Sequence, residues 1–147
     1  MKTKSLKVCN LYVRDSDILV VSTATTTAGF EISQEPIFRL RADKPNVDIG
    51  HVVLRALEAH RTNIPPPSLK ECSSDRVLSE IGVRSWRQLE RTSRNILVTQ
   101  EGGLVSATPT QHLSGGGYTH LNELTVRCRA IPEEIGAAVR QAELLCV

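Results

Sequence analysis

The apolar positions of this chain change their period along its length. Over residues 6–13 and 18–25 they alternate or run together among β-branched residues, as strands do, and Asp15-Ser16-Asp17 supplies the turn between them. Further strands are predicted over 29–32 and 36–42. Asn46 then offers an N-cap, after which Ile49, Val52, Val53, Ala56 and Leu57 recur at helical spacing on one stripe. The later part follows the same order: a strand over 95–99, a turn at Glu101-Gly102-Gly103, a strand over 104–108, a glycine-rich loop, a short strand near Tyr118 and a strand over 124–130. A second helix opens with Pro132 at its first position and carries Glu133 and Glu134 in its first turn. It repeats the apolar stripe with Ile135, Ala138, Val139, Ala142 and Cys146.

Between these halves the pattern differs. Val77, Leu78 and Ile81 predict a short helix ended by Gly82, and Ser85-Trp86-Arg87-Gln88 has the form of a capping box for another. Ile64-Pro65-Pro66-Pro67 cannot be helix interior and reads as an extended connection.

The recurrence extends to residue identities. Residues 29–42 align without gaps on 117–130, pairing Gly29 with Gly117, Glu35 with Glu123, Arg39 with Arg127, Arg41 with Arg129 and Ala42 with Ala130. Asn10 to Val13 lie opposite Asn95 to Val98, and Leu19-Val20 opposite Leu104-Val105, at a spacing of 85 positions; Ile49-Gly50 lies opposite Ile135-Gly136. The expectation is one α+β domain over 1–147, built from two antiparallel β-meander-plus-helix units (6–60 and 94–146) around a pseudo-twofold axis, with a helical insert at 70–92. This layout resembles the Whirly-type fold, in which a duplicated β-β-β-β-α unit binds single-stranded nucleic acid.

Composition narrows the function classes. With 40% hydrophobic and 23% charged residues the chain has the make-up of an ordinary folded domain. Charged residues interrupt the first thirty positions, and no segment reaches the ~20 apolar residues of a membrane span, so cytoplasm is the expected location. A net charge of +2 falls short of a dedicated nucleic-acid binder. Cys9, Cys72, Cys128 and Cys146 form no C-x-x-C pair, and His51, His60, His112 and His120 have no ligand spacing. No serine elbow is present, and Gly115-Gly116-Gly117 runs into an extended segment rather than a helix N-terminus. The residues therefore imply no metal, no cofactor and no catalytic group.

Arg39 with Arg41, and Arg127 with Arg129, each sit two apart on a predicted strand and share a sheet face. They form either a solvated outer face or a basic stripe for phosphates, the latter being the alternative reading of the chain as a single-stranded nucleic-acid-binding module. Phe30, Phe38, Tyr12, Tyr118 and Trp86 are few for stacking platforms, and Trp86 reads as an anchor of the inserted helix.

Several segments in a shared order resemble the CdiI family of contact-dependent growth inhibition (CDI) immunity proteins. They are Ser33-Gln34-Glu35-Pro36-Ile37-Phe38-Arg39-Leu40, the helix over 49–59 leading into His60-Arg61-Thr62-Asn63-Ile64-Pro65, Gly82-Val83-Arg84-Ser85-Trp86, Gly116-Gly117-Tyr118 and Ile131-Pro132-Glu133-Glu134-Ile135-Gly136. The sequence departs from the family at Pro66, where a polar residue or histidine is expected, and in a shortened polar stretch over 70–75. The resemblance implies a non-enzymatic protein that binds the C-terminal toxin domain of a cognate CdiA protein, often a nuclease, and occludes its active site. Against a basic nuclease, acidic side chains would speed encounter and mimic phosphates. Asp15, Asp17, Glu31, Glu35, Glu101 and Glu123, in predicted turns or on strand faces, are the toxin-contact candidates, with solvated surface charge as the alternative for each.

Overall fold

A computed structural model describes residues 6–66 and 73–147 of the chain. Its strands are β1 (Lys7–Val13), β2 (Asp17–Thr26), β3 (Glu31–Arg41), β4 (Arg61–Ile64), β5 (Arg94–Glu101), β6 (Leu104–His112), β7 (Tyr118–His120) and β8 (Val126–Arg129). Its helices are α1 (Asn46–Glu58), α2 (Ser73–Ile81), α3 (Trp86–Thr92) and α4 (Pro132–Leu145). The fold is α+β, with a sheet of order β3-β2-β1-β5-β6-β7, β4 beside β2 and β8 beside β6. Among the described residues only the β2–β4 pairing is parallel.

Strand alternation sorts side chains between two faces. Cys9, Leu11, Val13, Ile18, Val20, Ile96, Val98, Val105 and Ala107 point to one side. There they meet Ile49, Val53 and Leu57 of α1 and Ile135, Val139 and Ala142 of α4 in the larger core. The other face buries Tyr12, Leu19 and Val21 under the insert, through Val77 and Ile81 of α2 and Leu89 of α3. Helices on both sides explain why β2 runs buried from Ile18 to Ala24 without alternation. Trp86 packs in this second cluster with its ring 6.1 Å from Tyr12, the anchoring role expected of it.

β1 and β5 pair at the centre of the sheet, with Leu11 opposite Ile96. Beside that pair, Asn95 Nδ2 donates to Asn10 Oδ1 (3.2 Å) and to the Leu11 carbonyl (3.1 Å). On the helical layer α1 and α4 approach so closely that a Cβ on Gly50 would lie 1.9 Å from the Pro132 carbonyl oxygen, and one on Gly136 would lie 2.0 Å from that of Asn46. The helices pack through reciprocal glycine contacts.

Several expected boundaries are corrected. The segments at 29–32 and 36–42 form one strand, β3, whose ladder on β2 shifts between Val21, opposite Ile37, and Ser22, opposite Gln34. Glu35 and Pro36 stand outside the pairing, as an imino acid without an N–H requires. Gly29 and Phe30 belong to the preceding turn, where Gly29 has φ +89°. Asn46 is the first residue of α1 rather than its cap; Pro45 occupies that position, and no side chain caps the helix. Ser85 does cap α3, accepting from Gln88 N at 3.1 Å, but the Gln88 side chain reaches back to Arg84 N (2.8 Å) and not to Ser85. β6 continues past Thr108 to His112, and the Pro109 carbonyl still accepts from Leu121 N at 2.9 Å. Leu124 sits in a 3-10 turn (Asn122–Leu124) before β8. The second strands do not keep the 85-position spacing: Leu11 faces Val20, but Ile96 faces Pro109, because the β5–β6 hairpin is longer. β4 was not expected; it places Ile64 beside Thr26, and Pro65 and Pro66 follow it. Pro67, the first part of the insert and Cys72 lie outside the described residues.

Candidate functional site

The six acidic candidates do not form one cluster. Asp17 is committed within the fold: Arg14 grips it through two hydrogen bonds of 2.6 Å, and Arg39 Nε lies 3.5 Å away. The Arg14 guanidinium holds its carboxyl below the usual carboxylate range. Glu31 accepts from the Thr25 hydroxyl at 2.6 Å. Glu35 lies beside Glu80, whose carboxyl is pushed upward by desolvation and by the shared hydrogen bond and repulsion. Asp15, Glu101 and Glu123 are exposed and carry no hydrogen bond or ion pair among the described residues. Asp15 is at the β1–β2 turn, Glu101 at the opposite end of the sheet, and Glu123 in the 3-10 turn outside β6.

The strand arginines fall on one sheet face, since Phe38, Leu40, Val126 and Cys128 between and beside them turn to the larger core. Three are already partnered: Arg39 donates to the Ile81 carbonyl (2.5 Å), Arg41 to Asp43 (3.1 Å) and Arg129 to Glu134 (2.5 Å). Arg127 alone of the four has no described partner. A phosphate stripe here would first have to break these pairs.

Among the described residues, a concave feature of the surface lies at the end of the sheet where β1 finishes and β5 begins. A cleft of about 440 Å3 opens between the β1–β2 turn, the end of α3 and the end of β6, walled by Asp15, Arg91, Ser93, Arg94 and His112. A hollow of about 240 Å3 adjoins it and shares Arg91 and His112, adding Arg87, Glu90, Leu113 and Gly116. The walls are held by a hydrogen-bond chain. Ser93 Oγ donates to the Leu89 carbonyl (2.6 Å), which leaves Tyr118 OH to donate to Ser93 Oγ (3.4 Å). His112 Nε2 lies 3.1 Å from the Ser93 carbonyl, an acceptor only, so that nitrogen carries the proton. The His112 ring packs at a tilt of 53° with its centroid 4.8 Å from that of Tyr118, whose hydroxyl is pushed up to about 12 by burial. Gly117 N donates to Glu90 (2.8 Å), pinning the glycine-rich loop to α3.

The arginines of this site were not singled out by sequence reasoning, although a signal existed. Residues 84–94 hold Arg84, Arg87, Arg91 and Arg94 against one carboxylate, Glu90, a local charge of +3 in a chain of net +2. Side chains here can recognise carboxylates or phosphates through guanidinium forks. Among the described residues, no nucleophile with an adjacent base is assembled in the cleft.

The architecture has known counterparts. A Neisseria meningitidis protein of unknown function has a similar fold, with a TM-score of 0.79 at 17% identity over 100% of this chain and 99% of that one. A chain of the CdiA-CT/CdiI toxin and immunity complex from Yersinia pseudotuberculosis matches with a TM-score of 0.76 at 15% identity, over 97% of this chain and 98% of that one. No curated protein matches the sequence. The family described as CdiI, CDI immunity protein, matches residues 7–146. A match spanning nearly every residue of both cores settles the membership: this chain belongs to the CdiI family of CDI immunity proteins.

Proposed function

We propose that the protein protects the cell that makes it by binding the C-terminal toxin domain of its cognate CdiA protein, a nuclease, in the cytoplasm and covering the toxin's active site. The carrying observation is the family match over residues 7–146, seconded by full-length likeness to a chain of a CdiA-CT/CdiI complex. Membership of an immunity-protein family supports inhibition by contact, and the cleft offers guanidinium groups for such a contact. Neutralising a lethal partner requires nanomolar binding or better, roughly −12 kcal/mol, which a standard interface with a few buried anchors can supply. Co-expression with the C-terminal domain of the neighbouring CdiA should rescue growth and yield a co-purifying complex; death of the co-expressing cells would refute the proposal.

We also read the chain as a duplicated unit with a Whirly-like layout. The reading is supported by the Asn10–Asn95 contact at the sheet centre and by the reciprocal approach of Gly50 to Pro132 and Gly136 to Asn46. β7 and β8 both pair with β6, as the single strand β3 pairs with β2, and the turn between them falls opposite the Glu35-Pro36 interruption in the repeat alignment.

A further inference from the structure

We propose that the toxin is held through an acidic patch of its own surface, docked on the arginine ridge of α3 and the cleft behind it. This rests on the immunity reading above and assigns its contact surface. Arg87 and Arg91, four residues apart, share one side of α3, and Arg84 precedes its cap Ser85, while Leu89 and Trp86 turn inward to the second core. Arg94 continues the line at the start of β5 and reaches Glu143 only at 3.4 Å.

What distinguishes this ridge is unspent charge. Several cations elsewhere are matched, Lys7 with Glu58, Arg14 with Asp17, Arg41 with Asp43 and Arg129 with Glu134, and, among the described residues, the unmatched Lys44, Arg61 and Arg127 lie on separate segments instead of side by side. Arg87 and Arg91 are exposed and have no hydrogen bond or ion pair among the described residues. Glu90, the carboxylate between them, is turned to Gly117 N at 2.8 Å. Leu113, 48% exposed, stands in the adjoining hollow and supplies an apolar contact amid the guanidinium groups, arginine being a residue type enriched at interface hot spots.

The chemistry favours protein carboxylates over nucleic acid. His112 and Tyr118 lie against one another at a tilt of 53° rather than as parallel base platforms, and the net charge of +2 falls short of a dedicated nucleic-acid binder. Asp and Glu side chains entering a concave wall of arginines gain bidentate hydrogen bonds, and the unbalanced field steers their approach.

The test compares Arg87→Glu/Arg91→Glu with Lys44→Glu/Arg127→Glu, an equal charge change at exposed sites elsewhere. Association and dissociation with the purified C-terminal domain of the cognate CdiA are followed at low and physiological salt, with thermal unfolding as the check on folding. The ridge variant should associate about tenfold or more slowly and bind about a hundredfold more weakly, with the control within about threefold of wild type. Wild-type kinetics in the ridge variant would overturn the inference while leaving the immunity reading intact. Failure of the wild-type protein itself to bind the domain would sink both. Salt-sensitive wild-type binding to a labelled single-stranded oligonucleotide, lost in the ridge variant while toxin binding persists, would assign the ridge to nucleic acid and also overturn it.

Discussion

Two neighbouring residues of α4 should have opposite preferences between glycine and alanine. Gly136 faces α1 and Ala137 faces solvent. In an exposed helix position, glycine costs roughly 1 kcal/mol relative to alanine, so Ala137→Gly should destabilise by about that much. Propensity alone predicts that Gly136→Ala would stabilise by the same amount. The structure predicts the reverse, because the new Cβ would sit 2.0 Å from the Asn46 carbonyl oxygen and 2.5 Å from its carbon. Ordinary contact needs about 3.5 Å, so α1 and α4 must part by on the order of 1 Å, lifting Ile49, Val53, Ile135 and Val139 from the sheet. Overpacking of this kind costs about 1–3 kcal/mol and sometimes more, and against backbone atoms it belongs at the upper end. After the propensity gain is set against it, Gly136→Ala should lose about 2–3 kcal/mol, which for a chain of this size lowers Tm by about 10 °C. Gly50→Ala should behave alike. Urea unfolding followed by far-UV circular dichroism and by the single tryptophan, Trp86, measures this. Midpoints for Gly136→Ala and Gly50→Ala at or above wild type would refute the reciprocal packing.

Asp17→Asn should cost about 1 kcal/mol at pH 7, as expected for a two-pronged, partly buried pair with Arg14. Because the folded carboxyl is held below its usual range, its contribution is present above the unfolded value near ~4 and fades as pH falls through the folded one. Wild type and variant should therefore converge in urea midpoint toward pH 3, and a gap that persists or widens there would exclude the pair as its cause. Leu89→Ala empties a fully buried position beneath α3 and should cost about 2–4 kcal/mol by the same unfolding measurement. An unchanged midpoint would show that the insert is not packed on the sheet.

The helices α1 and α4 were legible because their apolar stripes are continuous and turn to the sheet, whereas their mutual approach through Gly50 and Gly136 left no periodic signal. Strand β3 was divided in the sequence reading because Pro36 breaks the local pattern, whereas the sheet tolerates it by leaving Glu35 and Pro36 outside the ladder. β4 gave no alternation to read; Arg61, Thr62 and Asn63 are exposed, and it is a strand only through its parallel pairing with β2. The insert's helices could be read from Gly82 and Ser85, but local periodicity does not say which sheet face they cover. The site was least legible. Acidic residues were weighted by the chemistry of an expected basic partner, and the fold commits Asp17 and Glu31 to internal bonds. The arginines at 87, 91 and 94 are brought together with His112 by the juxtaposition of α3, β5 and β6, which no single segment encodes.

Inhibition by contact is tested most directly by titrating the purified C-terminal domain of the cognate CdiA with this protein while following the toxin's own activity. In the tight-binding regime, activity should fall in a straight line to zero at equimolar protein, which is then recovered unaltered from the complex. Full toxin activity in the presence of excess protein, or its abolition by far less than one equivalent, would contradict the account.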